Sequence, residues 1–131
     1  MIDDAPDIQV RVQPDDRVAV VIVVGEIDLA TAHLLDEAVA RAAGSGARRT
    51  VVVDLSETRY LDSSGFRVLH RAAQAGPVTL VVPAASPVAR AVGIVGLPTL
   101  VSIFPSIDAA LLEQSPPSGW SCPRRPRCRR W

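Results

Sequence analysis

Three short, largely apolar runs, Val18–Val24, Val51–Leu55 with Asp54 inside it, and Val78–Val82, recur along the 131-residue chain. Each is followed by a segment whose apolar residues repeat at helical spacing. Runs this short fit strands covered on both faces rather than helices. Strands that alternate with helices pair in parallel, because the intervening helix carries the chain back across the sheet. Ahead of the first run, Ile8-Gln-Val-Arg-Val12 alternates apolar and polar residues, as a half-exposed strand does. Gln13-Pro-Asp-Asp16 reads as a tight turn. The two opening strands therefore form a hairpin, antiparallel to the rest.

The helices are bounded by punctuation residues. Gly25-Glu-Ile-Asp28 breaks the first run, and Asp28 is a candidate helix cap. Leu34, Leu35, Ala38, Val39 and Ala42 then recur on one face, and Gly44 and Gly46 stop the helix. Ser56–Tyr60 reads as a polar loop. A second helix starts at Ser63 or Ser64, buries Val68, Leu69, Ala72 and Ala73, and ends at Gly76-Pro77. Ser86-Pro87 reads as a cap with proline at the first helical position. Val88, Ala91, Val92 and Val95 continue that helix to Gly96; Thr99–Phe104 reads as a last strand and Ser106–Gln114 as a last helix. The order is β-β-α-β-α-β-α-β-α. The expectation is a single α/β domain over residues 8–114, with a mixed, mostly parallel sheet, an N-terminal antiparallel hairpin and four helices. Residues 1–7 are expected to be a flexible N-terminus. Residues 115–131, Pro- and Arg-rich without periodicity, are expected to be a disordered tail.

Composition narrows the function classes. Hydrophobic content of 48% supports a core, and aromatic content of 4% makes it an aliphatic one. Formal net charge is zero but unevenly placed. The tail holds five arginines and no acid; the body holds nine arginines against all 14 acidic residues, a net of −5. An acidic body argues against direct nucleic-acid binding. The tail's arginines and Trp120 and Trp131 would suit anionic lipid or nucleic acid, but the expectation is a solvated, dispensable extension. No apolar run approaches a membrane span, and no basic N-terminal region leads into one, so a cytoplasmic chain is the expectation. Cys122 and Cys128 both lie in the tail, with no His, Asp or Glu near them to complete a metal set. No Lys exists to build a phosphate-binding loop of the Gly-x-x-x-x-Gly-Lys type.

One junction carries more chemistry than its length suggests. Leu61-Asp-Ser-Ser-Gly65 follows the second run and opens a helix. Ser and Asp are good helix caps, and glycine permits close backbone approach, so a purely structural role is available. The alternative is a site of modification. The carboxyl ends of parallel strands are where open α/β sheets place their sites. A phosphate on a serine there would meet the unpaired N–H groups of the first helical turn. It would bring about −1.5 to −2 charges beside Asp62, with Asp28 expected on the same edge. A nucleophilic Ser63 would need a base within hydrogen-bond reach. His70 lies about 10 Å along the same helix, and His33 belongs to another. The Gly-x-Ser-x-Gly elbow of hydrolases is absent, so no enzyme activity is expected.

Four stretches together resemble the STAS domain, and within it the anti-sigma factor antagonists. They are Gly25-Glu-Ile-Asp-Leu-Ala-Thr31, Val51-Val-Val-Asp-Leu55 with Leu61-Asp-Ser-Ser-Gly65, Ser86-Pro-Val-Ala-Arg90, and Gly96-Leu97. The resemblance covers residues 8–114. It implies a protein that binds an anti-sigma factor, itself a serine kinase, and so frees a sigma factor. It implies that the kinase, using ATP, phosphorylates the serine directly after the aspartate, here Ser63, and that a serine phosphatase reverses this. Asp28, Asp62, Ser63, Ser64 and Gly65 would form the partner-binding set. No cofactor or metal is implied for the chain itself. Similar domains also serve as accessory subunits of transporters or stress-signalling assemblies without a phosphorylation cycle.

Overall fold

A computed structural model describes residues 6–14, 16–44, 49–94 and 101–114. Its elements follow the expected order: β1 (Asp7–Val12), β2 (Val18–Ile27), α1 (Ala32–Ala43), β3 (Thr50–Leu61), α2 (Ser63–Ala75), β4 (Val78–Val81), α3 (Ala89–Ile94), β5 (Ser102–Phe104) and α4 (Ile107–Gln114). The five strands lie in one sheet in sequence order. β1 pairs antiparallel with β2, and every later pairing is parallel. The expected helix stop at Gly96, the start of the last strand at Thr99, and the tail with both cysteines lie outside the described residues.

Sequential strand order has a consequence for the helices. Right-handed crossovers that all step in one direction must place their helices on one face. α1, α2 and α3 accordingly cover a single large core, built from Ala19, Val21 and Val23 of β2, Val51, Val53 and Leu55 of β3, and Leu35, Leu69 and Val92 of the helices. The other side of the same strands, Val18, Val20, Val52 and Val81, packs on Ala110, Ile107 and Leu111 of α4. Burial on both faces is why these strands read as nearly continuous apolar runs, broken only by Asp54 and Thr79. The exposed face of β1 explains its alternation: Ile8 and Val10 pack on the larger core while Gln9 and Arg11 face outward.

Residues Ser56–Tyr60, expected as a loop, are strand. β3 continues to Leu61 alongside β2, well past β4, which pairs only with Val51–Asp54. The pairing slips twice on the way: Ile22 faces Asp54 but Val24 faces Glu57, and Gly25 faces Thr58 but Glu26 faces Tyr60. Each slip puts one extra residue into β3, a bulge. Asp54 braces the first, its carboxylate accepting from the N–H and hydroxyl of Ser56. Gly25, beside the second, has φ +112°, a conformation that favours glycine. Two bulges shift the inside–outside alternation, so a polar segment can still bury Thr58 and Leu61.

Thr58 is fully buried, and its hydroxyl donates to the Val23 carbonyl at 2.8 Å. The bond ties the segment between the two bulges to β2. Thr58→Val keeps the shape but removes that hydrogen bond, and should cost about 1 kcal/mol in urea denaturation. Thr58→Ser should retain most of the stability.

Two expected caps are corrected. α1 begins at Ala32, with Thr31 rather than Asp28 at its N-cap. α3 begins at Ala89, and Ser86 does not cap it: the buried Ser86 hydroxyl has no hydrogen-bond partner among the described residues. The Ser86 carbonyl instead accepts from Ala89 N–H at 3.2 Å, a tight turn that delays the helix and seats Val88 in the core. Ser106 does cap α4, its Oγ accepting from Ala109 N–H at 3.1 Å.

Candidate functional site

The register of β2 on β3 brings the two loops of interest together. Ile27 faces Leu61 as the last pair of the ladder, and Asp62 N–H donates to the Ile27 carbonyl at 3.2 Å. Asp28 and Asp62 therefore follow adjacent strand ends, on the carboxyl edge of the sheet.

Each aspartate is held by its own loop. The Asp28 carboxylate accepts from the N–H groups of Ala30 and Thr31 at 3.0 and 3.2 Å and from the Thr31 hydroxyl at 3.1 Å. Thr31 Oγ1 in return accepts from Asp28 N–H at 3.0 Å. Asp28 thus closes the turn in front of α1 and remains exposed. Asp62 is the N-cap of α2, accepting from Ser64 N–H at 2.8 Å and Gly65 N–H at 3.3 Å. These bonds correct the expectation that a phosphate on Ser63 would find those N–H groups unpaired; Asp62 already holds two of them.

The cap sorts the two serines. Ser63, the first residue of α2, is exposed, and among the described residues its hydroxyl makes no hydrogen bond. Neither His33 nor His70 hydrogen-bonds to it. Ser64 is half-buried. Gly65 is buried where α2 meets the strand ends: a Cβ there would overlap Leu61 Cδ1 and stand 3.1 Å from Ile27 Cγ2. Glycine is required by this approach, since its backbone is otherwise ordinary helix.

Two apolar residues enlarge the site beyond the expected set. Leu29, next to Asp28, is 79% exposed, and Tyr60, next to Leu61, is 51% exposed. Exposed tyrosine and leucine side chains, here within three residues of Ser63 and next to Asp28 in the chain, are common on surfaces that other proteins cover. Sequence reading placed Tyr60 in a loop and assigned Leu29 no exposure, so neither stood out. Around them lie Glu26, paired with Arg59 at 3.6 Å, and Arg67, exposed one turn along α2 from Ser63. Among the described residues, no group of three His, Cys, Asp or Glu side chains could hold a metal ion, and no helix is long and apolar enough to cross a membrane.

Solved structures share this arrangement of strands and helices. An anti-sigma factor antagonist from Mycobacterium paratuberculosis is 29% identical, with a TM-score of 0.67 over 82% of this chain and 92% of that one. The Bacillus cell fate determinant SpoIIAA, in its phosphorylated form, is 19% identical with a TM-score of 0.59, over 83% of this chain and 100% of that one. The murine anion transporter Slc26a9 is also 19% identical, with a TM-score of 0.61 over 73% of this chain and 17% of the transporter. At 19% identity the likeness is one of fold. No curated protein sequence matches the chain. A model of the STAS domain family matches residues 7–110, a span that includes the whole sheet, Asp28 and the Asp62–Gly65 junction, and the chain belongs to that family.

Proposed function

We propose that this protein is an anti-sigma factor antagonist, a non-enzymatic regulator in the cytoplasm of a bacterium. In its bare form it binds an anti-sigma factor that is also a serine kinase, and the sigma factor is released to transcription. Phosphorylation at Ser63, with ATP used by the kinase, ends the association, and a serine phosphatase restores it. The chain needs no cofactor of its own. The observation that carries this reading is the exposed, unbonded Ser63 hydroxyl at an edge that also presents Leu29, Tyr60 and two aspartates. The likeness to the mycobacterial antagonist supports it. So does the existence of SpoIIAA in unphosphorylated and phosphorylated forms.

The physics of release is electrostatic. A hydroxyl becomes a group of about −1.5 to −2 charges beside Asp62 and Asp28. A partner surface that fits the bare edge then meets a bulky, strongly hydrated anion. The scaffold is untouched, because the Ser63 hydroxyl holds nothing in place.

The occurrence of this fold in Slc26a9 favours a second reading, an accessory subunit of a transporter or stress-signalling assembly with no phosphorylation cycle. One experiment separates the two. The chain is incubated with a cognate anti-sigma kinase and ATP, and the product is mapped by mass spectrometry. Phosphate is expected on Ser63 and not on Ser64, with loss of the kinase complex. A chain that stays unmodified beside an active cognate kinase would leave the accessory reading standing.

A further inference from the structure

We infer that Arg67 is the positioning residue for a phosphate on Ser63, holding it against the exposed face of α2. The inference rests on the proposed modification of Ser63 and adds the group that receives it.

The placement follows from the helix. α2 runs unbroken from Ser63 to Ala75, so residues 63 and 67 are one turn apart on the same side, about 5–6 Å between Cβ atoms. Both are exposed. A phosphoserine and an arginine at that spacing meet through flexible side chains without moving the backbone. Anion before cation is also the favourable order along a helix.

The surroundings leave Arg67 as the available group. The N–H groups of Ser64 and Gly65 are already committed to Asp62. Arg59 pairs with Glu26 at 3.6 Å, and Arg71, the other arginine of α2, pairs with Asp36 at 3.5 Å. No ion pair to Arg67 is found among the described residues. Of the other titratable groups at this edge, Asp62 at the start of the same helix and Asp28 at the adjacent strand end are both repulsive, and His70 lies a further turn along α2. The guanidinium offers two parallel N–H donors to a phosphate, a geometry a lysine lacks. Pinned this way, the phosphate lies across the helix face that a partner would cover, and the arginine is withdrawn from any carboxylate the partner presents.

The test uses the full chain with phosphoserine incorporated genetically at position 63, so that no kinase is needed. Its phosphorus NMR signal is titrated with pH in the natural background, in R67Q and in R67K. Asp28, Asp62 and His70 are common to all three, so the difference isolates Arg67. The phosphate midpoint in the natural background is expected about 0.3 pH unit below that in R67Q, with R67K in between. Equal midpoints in the natural chain and R67Q would overturn the clamp, whatever a kinase does. A lowered midpoint would uphold the clamp even where the mass-spectrometric mapping finds no kinase acting on Ser63.

Discussion

Ser63→Asp weakens binding to the cognate anti-sigma factor by about tenfold or more, some 1.4 kcal/mol, while the thermal midpoint stays within about 2 °C of the natural chain. The two halves of this expectation have separate causes. Affinity falls because a fixed negative charge joins Asp62 and Asp28 on one edge of the sheet, at adjacent strand ends. Stability holds because the replaced hydroxyl is exposed and unbonded, and a carboxylate in the first turn of a helix is mildly favourable, by about 0.3–1 kcal/mol. The single carboxylate carries about half the charge of a phosphate, so a weakened complex is expected rather than none. Ser63→Ala should bind as the bare chain does and resist the kinase. Calorimetric titration and thermal melting, run on the same samples, check both halves. Unchanged affinity in Ser63→Asp would remove charge from the account of release.

Gly65→Val should be the most damaging single change in the site, costing about 3 kcal/mol in urea denaturation. The reason is the approach of α2 to the ends of β2 and β3. The first added carbon already overlaps Leu61 Cδ1 and crowds Ile27 Cγ2. Leu61 and Ile27 are both buried, so each can give way only by disturbing its own packing. Two further methyl groups would push the helix off the strands, and Ser63 with it. Gly65→Ala should cost less, about 1–2 kcal/mol. In a Leu61→Ala background the valine should cost less than in the natural chain, because the two sites share one space. A Gly65→Val chain of natural stability would mean that α2 does not sit this close.

How much of this was legible in the residues depends on what each signal measures. The apolar runs report burial on both faces, and they located β2, β3 and β4 because α1 to α3 cover one side and α4 the other. The glycine at position 65 reported a close approach, though not which side chains it approaches. The far half of β3 escaped because its two bulges break the period on which strand reading rests. Position along the chain gave the wrong capping residues at α1 and α3. A cap depends on where backbone dihedrals turn helical, and short-range turns at Asp28–Thr31 and Ser86–Ala89 postpone that point. The choice between Ser63 and Ser64 rested on resemblance alone. Burial separates them physically, since the Asp62 cap fixes which serine faces outward. Leu29 and Tyr60 could not be found from sequence, because an exposed apolar residue looks like a buried one until its neighbours are known.

The measurement that bears most directly on the central claim compares the bare chain with the same chain fully phosphorylated on Ser63. Each is titrated against the cognate anti-sigma factor, and amide NMR spectra are recorded for both. The expected result is an affinity lower by about a hundredfold or more, with amide shifts confined to residues near Asp28 and Tyr60–Arg67. Equal affinity of the two forms, or a loss of affinity accompanied by collapse of the amide dispersion, would contradict a switch that acts at the surface and spares the fold.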